Sequence, residues 1–251
     1  MNVLILGKTQ KFNKNLSSCL GENHKIYIKN NFTRINRFFS SKKIDVVVFN
    51  VFNRKIGIKK DLEKILKYNF KKFIFLEDAE EIYFNSKNPI PYSVYEKIEP
   101  KNKKCERRLE IEEFIVGKKK NSVIFRVSDI YGPNINFGII YDLLYRNKIS
   151  LSMGKRDFLY EGDLIQAIEV ATETDANGIF DLAFGESVKI KSQLIRFIKK
   201  YRKKNIKIDF SKRKNLEYNC ENFKFYKWKP VVKLEVGLKV ITMKGIKNGK
   251  I

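Results

Sequence analysis

Apolar and polar positions along this chain follow two periods, and the switches between them lay out its elements. Short apolar runs predict strands at Val3–Leu6, His24–Ile28, Asp45–Phe49, Phe73–Leu76 and Val123–Val127. Between them, apolar residues three and four apart predict helices over Asn13–Leu20, Phe32–Phe39, Leu62–Tyr68 and Lys104–Val116. The last of these places Leu109, Ile111, Phe114 and Ile115 on one broad stripe. Asp45–Phe49 reads DVVVF, an unbroken run that predicts burial on both faces. Strands alternating with helices at this spacing predict a parallel, doubly wound α/β sheet.

After Gly132-Pro133 the pattern loosens. It predicts a helix over Gly138–Arg146, a short strand at Ile149–Ser152 and a strand at Gly178–Leu182. Asp163 reads as the N-cap of a helix running to Thr172, and Val188–Lys200 as a further helix. No internal repeat or low-complexity linker interrupts the chain.

The first strand runs through Gly7 into a helix, which is how a nucleotide-binding βα unit opens. Such a turn needs glycines so that backbone can meet a pyrophosphate at the helix N-terminus. Gly7 and Thr9 remain, but Gln10 and Asn13 stand where the later glycines belong. Lys11 and Lys14, in the first helical turn, are candidate phosphate contacts.

The 251 residues can bury one large core with a small appendage, and 43% hydrophobic content is globular composition. The formal charge of +24 is extreme for that length and points to a polyanionic partner, nucleic acid or membrane, or to a solvated lysine-rich surface. The run Lys199–Lys214 concentrates nine basic residues against one acid, Asp209, with aromatic residues interleaved, as a nucleic-acid surface would. Cys19, Cys105 and Cys220 are scattered, which predicts a reduced, cytoplasmic protein. A single histidine, His24, argues against His-based metal sites and Ser-His-Asp triads. No apolar run approaches the ~18 residues of a membrane span, and Val3–Leu6 is too short for a secretory signal.

Six motifs in order resemble the NAD-dependent epimerase/dehydratase family, the extended short-chain dehydrogenases acting on nucleotide sugars. They are Gly7-Lys8-Thr9, Asp45–Phe49, Arg126–Pro133 (RVSDIYGP), Arg156–Tyr160 (RDFLY) with Asp163, Gly178–Glu186 (GIFDLAFGE), and Trp228-Lys229-Pro230 with Leu234–Leu238. The resemblance covers essentially the whole chain. It implies a Rossmann-type core over 1–131 and 156–184, and a substrate-binding lobe over 132–155 and 185–251. It also implies NAD or NADP as cofactor, a nucleotide sugar as ligand, and a homodimer or partner enzyme. By resemblance Arg156 meets the nucleotide diphosphate, and Asp129 stands near the substrate where the family commonly has Asn.

The family's catalytic pair, Tyr-x-x-x-Lys, lies on the helix after the fourth strand, with a Ser or Thr at that strand's end. Counting through Glu110 places Asn102 at the Tyr position and Glu106 at the Lys position, with Glu77 and Asp78 at the Ser/Thr position. The tyrosine must lose and regain a proton, helped by a neighbouring ammonium. An amide cannot titrate, and a carboxylate opposes phenolate formation. Tyr92, Tyr95 and Lys97 supply the right groups at the wrong spacing, in a proline-rich stretch that predicts loop. The acidic cluster Glu77, Asp78, Glu80 and Glu81 reads either as general acid/base or metal chemistry, or as charge compensation. These departures predict loss of the dinucleotide and of standard redox catalysis. Three classes stay open: an atypical nucleotide-sugar enzyme, a non-catalytic sugar-nucleotide binder or partner-supporting protein, and a polyanion (RNA) binder.

Overall fold

A computed structural model describes residues 1–52, 57–200, 206–211, 215–219 and 222–247. The N-terminal part alternates β1 (Asn2–Leu6), α1 (Gln10–Leu20), β2 (Lys25–Lys29), α2 (Ile35–Ser41), β3 (Val46–Asn50) and α3 (Ile58–Ile65). It continues through β4 (Lys72–Asp78), a short α4 (Ala79–Tyr83), α5 (Lys103–Lys118) and β5 (Ser122–Val127). Then come β6 (Asp129–Tyr131), α6 (Gly138–Tyr145), β7 (Lys148–Ser152), β8 (Lys155–Arg156), β9 (Phe158–Tyr160) and α7 (Glu161–Glu173). The chain ends with β10 (Gly178–Leu182), β11 (Val188–Lys189), a π turn (Ile190–Leu194), α8 (Ile195–Lys199), β12 (Lys207–Ser211), a 3₁₀ turn (Asn222–Tyr226) and α9 (Leu234–Lys247).

Six strands form one parallel sheet in the order β10-β5-β4-β3-β1-β2, the expected Rossmann-type doubly wound architecture. Side chains alternate between its two faces and build two apolar layers. Val3, Ile5, Val46, Val48, Val123 and Phe125 pack beneath α1 and α7. Leu4, Leu6, Val47, Phe49, Phe73 and Phe75 pack beneath α3 and α5. A third cluster joins α6, β7 and α8 to α9 through Leu143, Leu151, Ile195 and Leu238.

Three expectations shift. Asp163 lies inside the first turn of α7, whose N-cap position is Tyr160. The Asp163 carboxylate instead accepts from the backbone N–H groups of Val231 and Val232, both at 3.1 Å, and ties the closing segment to the core. Val188–Lys200 is not one helix: β11 pairs antiparallel with β8, and the π turn precedes α8. α3 starts at Ile58, where Gly57 in left-handed backbone opens it, and ends before Tyr68. Residues 201–205 and 212–214 of the basic run lie outside the described residues, so the expected Lys199–Lys214 surface is described only at 199–200 and 206–211.

Candidate functional site

In a doubly wound sheet the crevice for a ligand opens where strand order reverses, here outside the C-terminal ends of β1 and β3. Gly7 ends β1 at φ +143°, a conformation that favours glycine. A Cβ there would come within 2.5 Å of the Asn50 Oδ1. Asn50 closes β3 and is 1% exposed. The Thr9 hydroxyl donates to its Oδ1 at 2.8 Å, and its own amide donates to Asn13 Oδ1. The Asn13 amide, fully buried, donates to the Gly7 carbonyl at 2.9 Å. The side chains of Thr9, Asn13 and Asn50 thus bond to one another and to the Gly7 carbonyl. Phe52, 3% exposed and just beyond β3, wedges against Phe12 and Phe137. Gln10, Lys11 and Lys14 point to solvent at the start of α1. Asn50 and Phe52 escaped the sequence reading; the only hint was a polar residue closing an apolar run.

The ends of β4, β5 and β10 carry a second polar system. Register puts Glu77, Arg126 and Asp181 side by side on the face that α5 covers. Arg126 donates to both Glu112 oxygens, from Nε at 2.7 Å and from a terminal nitrogen at 2.6 Å. Its other terminal nitrogen donates to the Tyr83 hydroxyl at 2.9 Å, and that hydroxyl reaches Asp181 at 2.8 Å. Arg108 approaches Glu77 at 3.7 Å. Burial pushes the Glu77 carboxyl up, and Glu112 beside it pushes further. Burial raises Asp181 to about 7 against the pull of Arg126. Burial also raises the Tyr83 phenol well above its ordinary range. Cys105, fully buried beside this system, is pushed by burial up to about 11 and is a poor nucleophile.

Glu112, not Glu110, is the helix carboxylate that faces the sheet; Glu110 is exposed. A count through Glu112 would instead put Lys104 and Arg108 at the two motif positions, neither of them a tyrosine or a lysine in the right place. Asn102 instead caps α5, its Oδ1 accepting from the N–H groups of Lys104 and Cys105, while Glu106 is exposed. In the new register Lys104 pairs with Glu81 at 2.7 Å on the surface. The acidic cluster is thus shared out: Glu77 inside, Glu81 to Lys104, Glu80 to Arg156, with Asp78 preceding α4.

No helix forms between Tyr83 and Lys103. That segment crosses the strand ends instead, its Val94 N–H bonding to Asp181. Tyr92 stacks on Tyr83 at 4.7 Å and 15°, with Tyr218 tilted against Tyr92 and edge-on to Tyr83. A bridge with Tyr218 holds it: the Tyr92 N–H donates to the Glu217 carbonyl at 2.8 Å, and the Asn219 N–H to the Tyr92 carbonyl at 2.7 Å. Tyr92 is 7% exposed whereas Tyr95 is 76% exposed, and Lys97 is at the surface. The three are not gathered into one constellation.

Arg156 is also enclosed, its fork shared between Asp129 at 3.3 Å and Glu80 at 3.1 Å. Burial raises Asp129 to about 7 although Arg156 opposes the shift. The neighbouring carboxylates are engaged elsewhere: Asp157 accepts from the Phe184 and Gly185 N–H groups, each at 2.8 Å, and Asp163 from the closing segment.

Two open grooves flank the Phe184–Gly185–Glu186 turn that Asp157 pins. One, of about 540 Å³, has Phe158, Val188 and Phe197 as apolar walls, and Arg196, Lys200 and Lys233 as cations against the carboxylates of Glu186 and Glu235. The other, of about 530 Å³, has Pro91, Tyr218, Glu217 and Lys229 among its lining. A flat apolar body with an anionic tail fits the first: aromatic walls take a base, and guanidinium and ammonium groups take phosphate. Among the described residues no group of three His, Cys, Asp or Glu side chains is arranged to hold a metal ion.

No family model and no curated protein matches the chain by sequence. Solved structures do. A UDP-glucose 4-epimerase of Thermotoga maritima, solved with UDP-glucose, is 20% identical with a TM-score of 0.80, covering 99% of each chain. A dTDP-glucose 4,6-dehydratase of Bacillus anthracis, solved with NAD, is 18% identical with a TM-score of 0.79, over 99% of this chain and 97% of its own. The enzyme WbmG of Bordetella bronchiseptica, solved with NAD and UDP, is 17% identical with a TM-score of 0.81, over 98% and 94%. The chain has the fold of these nucleotide-sugar epimerases and dehydratases, as the resemblance implied.

Proposed function

We propose that this chain is a protein of nucleotide-sugar metabolism that binds a nucleotide sugar without Tyr/Lys redox catalysis and without a resident dinucleotide. One observation carries the reading: the strand ends where a catalytic pair would work are filled by the chain itself. Tyr83, Arg126, Glu112 and Asp181 form a closed, hydrogen-bonded system there, and Tyr92 stacks over it. The phenol inside is held protonated by burial, the reverse of what hydride chemistry asks of a catalytic tyrosine.

The residues at the βα turn do not suit NAD or NADP either. Asn50 and Phe52 stand at the reversal of strand order, both buried, and the side-chain hydrogen bonds of Thr9, Asn13 and Asn50 are spent on one another and on Gly7. Opening the turn would leave the amides of Asn13 and Asn50 to find new partners, at about 1–3 kcal/mol per buried group left unpaired.

The nucleotide site in this reading is the groove lined by Phe158, Val188 and Phe197, where the lobe expected over 132–155 and 185–251 meets Phe158 and Phe184 of the expected core. Arg196, Lys200 and Lys233 supply its cations. Arg156 does not line that groove, and its fork is bound to Asp129 and Glu80. Calorimetry with UDP and dTDP tests the reading: saturable binding is expected, weakened by Arg196→Ala with Lys233→Ala. Absence of binding by several nucleoside diphosphates would overturn it.

A further inference from the structure

The outer face of α9 belongs to neither the sheet nor the grooves. Its inner face is fixed, with Leu238 and Ile241 buried. Gly237 lies against the Tyr131 ring, where a Cβ would come within 2.4 Å of the phenol oxygen. On the other side Val236, Val240 and Met243 are 53%, 36% and 66% exposed. Their spacing of four and then three residues lays them along one stripe. Lys239 stands beside it, one turn from both Val236 and Met243, and is the exposed cation of this face that lines neither groove; Lys233, also exposed, precedes the helix at the rim of the first groove. Residues 229–243 hold Lys229, Lys233 and Lys239 against a single acid, Glu235. Val231, just ahead of the helix, is 67% exposed.

We propose that this face seats the protein peripherally on an anionic lipid surface. The occupant follows from charge and from the kind of side chain exposed. With a formal charge of +24, two copies of the chain repel one another, whereas an anionic surface attracts each of them. Aliphatic side chains offer nothing to a phosphodiester backbone, which is met by cations and aromatic planes. A bilayer interface satisfies both features, headgroup charge for the lysines and the acyl boundary for Val236, Val240 and Met243. Attachment is peripheral, because no helix among the described residues is long and apolar enough to cross a membrane. The inference rests on Lys239 and the stripe, which line neither groove, and so stands apart from the nucleotide reading.

Co-sedimentation of the full chain with two vesicle types tests it: phosphatidylcholine alone, and phosphatidylcholine doped with phosphatidylglycerol. Binding is expected only to the anionic vesicles, weakening as salt rises. Replacing Val236, Val240 and Met243 together by Ser should lower partitioning about tenfold or more, from the apolar area withdrawn. These side chains are exposed, so the melting temperature should stay unchanged. Lys239→Glu, which leaves the stripe intact, should weaken binding as well. No binding to anionic vesicles at low salt would overturn the proposal. So would equal binding by wild type and the triple variant, which would reduce the effect to charge alone. A wild-type dimer that the triple variant breaks, without vesicle binding, would assign the face to a second copy.

Discussion

Arg126→Leu removes the centre of the buried polar system and so asks whether that system holds the fold shut. The guanidinium satisfies both Glu112 oxygens and the Tyr83 hydroxyl, and its charge opposes the upward shifts of Glu77 and Asp181. Leucine would leave three buried carboxylates on one face with Arg108 as their remaining cation. Breaking a buried pair on one side costs about 3–5 kcal/mol. For a chain of this size that corresponds to a fall in melting temperature of about 10 °C. The loss must depend on pH. Asp181 sits at about 7 and Glu77 is raised, so both bind protons more tightly folded than unfolded. Such groups stabilise the fold below their unfolded pKa, and that stabilisation is lost as pH rises through the folded value. Without Arg126 both shift higher still, so the deficit should be smaller near pH 5 than near pH 8. Urea unfolding at both pH values, followed by circular dichroism, reads this directly. A deficit below about 1 kcal/mol near pH 8, or one that ignores pH, would refute a closed ionic core.

Asp181→Asn should reduce the fall in melting temperature between about pH 5 and pH 8, because the carboxyl at about 7 contributes to that slope; an unchanged slope in thermal scans would contradict it. Asn50→Ala should cost about 1–3 kcal/mol in urea unfolding by orphaning groups of Thr9 and Asn13, and should not create dinucleotide affinity. Arg196→Ala with Lys233→Ala should weaken nucleoside diphosphate binding about tenfold by calorimetry, whereas Arg156→Ala should lower stability with little change in affinity. Equal affinity in the double variant would remove the groove as the site.

The sheet was legible because β1, β3, β4 and β5 carry runs that a fully buried strand requires. The short pairings were not: β6, β8, β9 and β11 have two or three residues each and carry no period of their own. α4 hid behind Glu80 and Glu81, which read as a charged loop although Ile82 and Tyr83 beside them are buried. Glycine loss at Gln10 and Asn13 flagged an altered turn, but what fills it comes from Asn50, on another strand. The buried ionic system was invisible for the same reason, since Glu77, Arg126 and Asp181 meet only through the register of three strands. A local trace existed in Glu112, flanked on the apolar stripe of α5 by Ile111 and Ile115, and it would have moved the motif count by two.

Native mass spectrometry of freshly purified protein tests the proposed function most directly, because a resident dinucleotide would travel with the chain. The expected species is the bare 29.7 kDa chain. On addition of a nucleotide sugar, a single adduct of that ligand should appear. Stoichiometric NAD or NADP in the untreated preparation would contradict both the proposed absence of a resident dinucleotide and the proposed loss of redox chemistry.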